Sequence, residues 1–310
     1  MKTLIFFILS FLALNNLSAV TYDTTICATS ETLYLKASEN LPLFAETRRN
    51  DDILNTVSHT RIRTLQPTWD TGFRLGVGVN LPCNRWHLCL LWMNYETDAK
   101  SHHTIPNLDT YTLLWGPFSP FSDSSRAKWN LCVNVIDLIL SKKIPLSHCF
   151  QIRPYIGLRA ASFHQKLHIS SFTGGVLDQE NRLKSNYKGI GPHIGLETTF
   201  KLCYGLSIYG STSGSVLCGE FDNRFRNVDP ILSSLEQKHR FQACQAIMDT
   251  TAGIRWVDTY CNFIVTLQLG YEQHFYFNQE RFDDFGPSNF RSRRDDLCIQ
   301  GLTFLARLDF

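Results

Sequence analysis

Beyond its N-terminal end the sequence contains no run of about eighteen apolar residues, so it offers no helix able to cross a bilayer. It also lacks an excess of either charge. Thirty Lys and Arg against 28 Asp and Glu leave a formal charge of +2, with no basic run to suggest nucleic acid as a partner. Zinc spacing is absent: among ten cysteines there is no close CxxC pair, and Cys83 and Cys89 are separated by five residues. No Walker loop, dinucleotide fingerprint, GxSxG elbow or zinc helix is present, so no cofactor or metal is expected. Gly76-Val77-Gly78 and the stretch Gly189–Gly195 lie in alternating segments and open no helix. Hydrophobic residues make up 44% and charged residues 19%, with a mean hydropathy of −0.13. That is too polar for a helical membrane protein. It is compatible with a membrane barrel, in which each lipid-facing residue alternates with a polar, lumen-facing one.

What is present begins with Met1-Lys2, the apolar run Leu4–Leu14, polar Asn15-Asn16 and the small-residue exit Ser18-Ala19. This is the layout of a cleaved secretory signal, which assigns 1–19 to a signal peptide and 20–310 to one exported domain. Export makes the cysteines candidates for disulfides.

From Trp69 the chain settles into one rhythm. Trp69, Thr71, Phe73, Leu75, Val77 and Val79 alternate with Asp70, Gly72, Arg74, Gly76, Gly78 and Asn80. Successive strand side chains point to opposite faces, so this is a strand with one apolar and one polar wall. The pattern recurs over 150–159, 190–197 and 263–272, and less regularly at 86–97, 127–138, 205–217 and 241–256. Short turns at 81–85, 141–149, 202–204 and 258–262 alternate with long polar segments at 99–126, 172–186, 223–239 and 278–294. This is the asymmetry of periplasmic turns and external loops in an outer-membrane barrel. Even strand number then requires a first strand near 30–44, with the last at 295–310. The fold class expected is all-β, an antiparallel transmembrane barrel of about ten strands. Twelve remain possible if Tyr111–Trp115 and 163–171 form a further pair.

The final strand places Leu302, Phe304, Ala306, Leu308 and Phe310 on one face. Phe304, Leu308 and the terminal Phe310 are therefore candidates for the signal read by the barrel assembly machinery. Trp69, Trp86, Trp92, Trp129, Trp256, Tyr271, Phe275 and Phe277 are candidates for interfacial girdles. On the inward face the alternation puts Asp70, Arg74, Arg153, Arg159, His193, Glu197, Asp249, Arg255, Glu272, Arg307 and Asp309, charges of both signs that either pair or border a water path.

Several stretches resemble the major outer membrane protein-like family of Legionella and chlamydia-related bacteria: TLYLKASENL at 32–41, WDTGFRLGVGVNLPCNRWHLCLLW at 69–92, QIRPYIGLRAASFHQK at 151–166, KGIGPHIGLET at 188–198 and LCIQGLTFLARLDF at 297–310. The resemblance implies a pore-forming barrel in a Gram-negative outer membrane, allowing passive diffusion of small solutes or ions, with outer-membrane lipid and other copies as its surroundings. Two other readings stand beside it. One is a closed structural or adhesin-like barrel. The other is an omptin-type hydrolase using His274 with Glu272, His102-His103 or Asp283-Asp284 as a water-activating set. Cys83, Cys149, Cys203 and Cys261 fall at or beside the four short turns, and Cys27 precedes the first strand on that same side. They are expected to form disulfides at the periplasmic rim, to other copies or to cysteine-rich envelope proteins, as the resemblance suggests, at least as often as within the chain.

Overall fold

The computed structural model describes residues 25–38, 43–50, 58–81, 86–104, 110–113, 122–228, 234–260, 263–285 and 290–310. The expected signal peptide lies outside them. The strands are β1 (Thr25–Ser38), β2 (Leu43–Asn50), β3 (Ser58–Thr64), β4 (Trp69–Leu81), β5 (Trp86–Thr104), β6 (Thr110–Leu113), β7 (Ser124–Lys142) and β8 (Ile144–Pro145), then β9 (Phe150–Thr173), β10 (Val176–Lys201), β11 (Leu206–Val228), β12 (Ser234–Tyr260), β13 (Phe263–Phe285) and β14 (Phe290–Asp309). Ten of them form an antiparallel barrel in the order β1, β4, β5, β7, β9, β10, β11, β12, β13, β14. It closes because β1 pairs with β4 on one side and β14 on the other, Leu35 facing Asp70 and Gly301. β3, β2 and β6 make a small separate sheet. Tyr111 thus belongs to that sheet and 163–171 continues β9, so the twelve-strand option is excluded.

The first strand starts at Thr25, earlier than expected. A larger difference is strand length. β9 to β13 run 23 to 27 residues, whereas a tilted strand crosses a membrane in about ten. Segments 172–186, 223–239 and 278–294 are mostly strand rather than loop. β9 and β10 meet at Gly174-Gly175, whose φ values of 58° and 81° make the two-residue turn that matches the twist of a hairpin.

The extra length stands above the lipid, and the side chains say why it is stable there. In the lower half of the barrel, apolar residues point outward: Ile156 and Leu158 on β9, Ile190 and Ile194 on β10 and Ile136 and Leu138 on β7 are all about half exposed, as lipid-facing groups must be. Above that band the parity reverses. On β9 the apolar positions change from even to odd, and Phe163, Leu167 and Ile169 point inward with at most 1% exposure. Val133, Leu131 and Trp129 do the same on β7, Tyr187 and Leu183 on β10, and Leu217, Phe221 and Phe225 on β11. The upper barrel is therefore built as a soluble β-protein is, polar outside and apolar inside. Trp129 is accordingly no girdle residue, being fully buried in this core, while Trp69, Trp92, Tyr271 and Phe277 are exposed on the outer face.

Closure is tightest at Gly301 on β14, where an added Cβ would lie 2.2 Å from the Tyr34 carbonyl oxygen of β1. We expect Gly301→Val to force β14 from β1 and abolish the heat-modifiable folded form on electrophoresis, whereas Thr303→Val, one inward position higher in number, should leave it in place.

Candidate functional site

Among the described residues the lumen gathers the buried ionisable side chains, and strand alternation delivers them there. Low in the barrel, Arg153 (β9) donates to Glu197 (β10) at 2.6 Å, and Arg255 (β12) reaches the other oxygen of the same carboxylate at 2.8 Å. Arg307 and Asp309, both on β14, pair at 2.5 and 2.9 Å, and Asn80 Nδ2 donates to the same carboxylate at 3.1 Å.

Six residues further up β9, Arg159 starts a layer that crosses the whole barrel. Its guanidinium grips Asp137 (β7) through two parallel bonds of 2.7 and 2.9 Å and also holds Asp249 on β12. Asp249 Oδ1 lies 2.7 Å from His274 Nδ1 on β13, and His274 Nε2 lies 3.0 Å from Glu272. Glu272 is bonded by Arg74 of β4 at 3.1 Å, and Arg74 also binds Glu31 of β1. Six strands are tied together by one chain of charges. Bidentate arginine geometry is what makes such buried pairs tolerable, because each desolvated charge keeps its hydrogen bonds. These groups line a cavity of about 250 Å³ together with His193, whose ring lies 5.5 Å from Tyr155. That is less than the roughly 300–1,000 Å³ of ordinary ligand pockets.

Directly above sits the apolar layer. Tyr276 meets Phe163 edge-on at 4.9 Å, Phe163 lies 6.2 Å from Tyr187, and Tyr187 packs on Phe221 at 4.6 Å. Tyr95 and Tyr187 satisfy their hydroxyls on the carbonyls of Leu35 and Leu217 at 3.1 and 2.9 Å. Arg281 caps the cluster, its guanidinium 4.9 Å above the Phe221 ring.

Of the residues expected to face inward, Arg74, Arg153, Arg159, His193, Glu197, Asp249, Arg255, Glu272 and Arg307 share this cavity. Asp70 does not. It lies higher, where the start of β4 is no longer paired with β5, and accepts a 2.5 Å bond from Thr97 Oγ1. Asp137 and Glu31 were missed, although Asp137 continues the inward phase of the irregular stretch 127–138. The apolar layer was missed altogether.

Among the rim cysteines, Cys27 requires a correction. Cys27 is inside β1, fully buried, with its Sγ 3.3 Å from His87 Nε2, so no partner protein reaches it. Cys149 and Cys203 are exposed and unbonded on adjoining turns, and Cys83 and Cys261 lie outside the described residues. The disulfide among the described residues instead joins Cys218 and Cys244, which face each other across β11 and β12 on the outer surface. The register brings the two within reach, their Cα atoms 4.1 Å apart.

A family model described as Legionella pneumophila major outer membrane protein precursor matches residues 22–310. No curated protein matches the sequence. Among solved structures, the outer membrane protease OmpT from Escherichia coli is similar in fold, with a TM-score of 0.51 and 10% identity over 95% of this chain and 99% of that one. The toluene transporter TodX of P. putida aligns over 93% of this chain and 90% of that one, at a TM-score of 0.36 and 8% identity.

The transverse layer should respond sharply to loss of its central cation. Arg159→Ala strands Asp137 and Asp249 without a partner and should cost about 3–5 kcal/mol of stability, read from chemical unfolding in micelles. Arg159→Lys keeps the charge but not the two-pronged bond, and should cost less. Equal stability of Arg159→Ala and the parent would show that the layer carries no weight.

Proposed function

The chain belongs to the Legionella pneumophila major outer membrane protein family, and from that premise we propose that it serves the outer membrane as a lumen-closed structural barrel. It spans the lipid and holds a folded wall above it. One observation carries this reading. In an open porin the lumen-facing side chains touch water. Here Leu33, Tyr95, Trp129, Phe163, Tyr187 and Phe221 face the barrel axis and are each 0% exposed. A solute rising through the charged cavity meets these packed rings.

Passive diffusion of small solutes or ions is the second reading. It is favoured by the balanced, charge-lined cavity below the rings, and it requires the rings to move aside. A hydrolytic role finds little support. The likeness to OmpT concerns fold alone, His274 is enclosed by Asp249 and Glu272 inside the barrel, and His102 and His103 sit on the upper end of β5, away from that cluster.

Two expectations follow. In planar bilayers the refolded parent should be electrically silent, while Phe163→Ala combined with Tyr276→Ala should open steady conductance. Reproducible single-channel steps from the parent would support the porin reading instead. We further propose that Phe304, Leu308 and Phe310 form the surface read during assembly. Phe304 and Phe310 are about half exposed on the outer face, and the Phe310 N–H is bonded to the Ile26 carbonyl at 2.8 Å, at the seam itself. Deletion of Phe310 should leave exported but uninserted chain in the periplasm; normal membrane insertion would remove the proposal.

A further inference from the structure

Outside the barrel, just above the lipid-facing band, the strand register assembles a surface the lumen does not explain. Lys166 on β9 stands opposite Lys184 on β10, Lys184 opposite Arg224 on β11, and Arg224 opposite Lys238 on β12. Four cations lie side by side on one face across four strands, all exposed. Like charges placed directly opposite in a sheet repel and destabilise it, so the row is a cost unless an anion covers it. The next row outward repeats the arrangement with Arg182 opposite Arg226.

The carboxylates nearby offset it only in part: Lys188 stands opposite Glu220 and Arg226 opposite Glu236, whereas Lys166 and Lys184 face no carboxylate across the strands. Asp222 is shared by Arg224, Lys238 and Arg240, at 3.2, 3.8 and 3.2 Å. Glu180 is bonded to Arg182 at 2.8 Å and to His168. Among the described residues no salt bridge to a carboxylate joins Lys166, Lys184, Lys188 or Arg226. The Arg224 guanidinium bonded to Asp222 holds that carboxyl below its usual range.

Position identifies the partner. Lys188, the lowest of these cations on β10, is two residues above the lipid-facing Ile190, and Lys184 is six above it. At ~3.3 Å per residue on a strand tilted by about 40°, that places the basic groups roughly 5–15 Å beyond the apolar edge. This is the depth of the headgroups and first sugars of the outer leaflet, continuous with the surface that touches acyl chains. We propose that the outer faces of β9–β12 bind the phosphorylated saccharide headgroup of an outer-leaflet glycolipid, with Lys166, Lys184, Arg224 and Lys238 as its phosphate contacts. Arginine and lysine clusters are the ordinary receptors for such groups.

The full-length chain, refolded in neutral detergent, provides the test. Its thermal midpoint is measured alone, with purified lipopolysaccharide, with the same glycolipid after phosphatase treatment, and with heparin. The parent should be stabilised by the phosphorylated glycolipid and retain it through gel filtration, with at least tenfold weaker retention of the dephosphorylated form. Changing all four residues to Gln should abolish that retention. In the absence of lipid the double variant Lys166→Gln, Lys184→Gln, which removes no ion pair, should melt no lower than the parent, because the repulsion has gone. This reversal of sign separates a lost ligand from a damaged fold. Equal retention by parent and variant, or by phosphorylated and dephosphorylated lipid, overturns the proposal. Stabilisation by heparin with none by the glycolipid does so too, and would make the wall a receptor for soluble polyanions.

Discussion

A backbone surrounded by hydrocarbon has no water to bond, so every N–H and C=O must find its partner inside the protein. For a sheet this leaves only closure, and in this chain closure rests on β1, which gives one edge to β4 and the other to β14. Inward-pointing charge is acceptable only because the ring is shut. Outward apolar side chains are acceptable only because lipid lies against them. The ion-paired cavity, the alternation and the tight approach at Gly301 all presuppose that seam.

Within the closed ring the two halves are governed by different surroundings. At the level of the lipid, the outer face must be apolar and the inner face becomes the polar one, where charges lose water and have to satisfy each other. Arg159 and Arg74 do this by bridging carboxylates from several strands. Higher up the outer face meets water and the demand inverts, which leaves the interior free to fill with Trp129, Phe163, Tyr187 and Phe221. The reversal of parity near Ala160 on β9 is where one environment gives way to the other.

That reversal also explains what the sequence did and did not disclose. Strand count, closure, the inside position of Arg153, Glu197 and Arg255 and the family were legible, because strict alternation has one interpretation while its phase is constant. When the phase changed, Lys184 and Arg224 read as polar loop, 163–171 read at most as one strand of a further pair, and the odd-numbered Phe163, Leu167, Phe221 and Phe225 were not recognised as a second, inward-facing stripe. The signal was there as alternation with opposite parity. Pairing across strands was not legible at all. Cys218 and Cys244 are 26 residues apart, and only the β11–β12 register makes them neighbours. Asp70 follows the inward phase but sits where β4 leaves β5, a departure with no mark in the sequence.

The filled upper barrel has a thermodynamic corollary. Its aromatic interior is sequestered from water, so unfolding that half exposes apolar area and carries a positive heat-capacity change. The lower half exchanges lipid for other apolar surroundings and depends on charge pairing, which has no such signature. Attraction among buried apolar groups weakens on cooling, whereas the ion pairs around Arg159 do not rely on it. The two halves of one continuous sheet thus have different temperature profiles, and cold loosens the external half before the part held in the membrane.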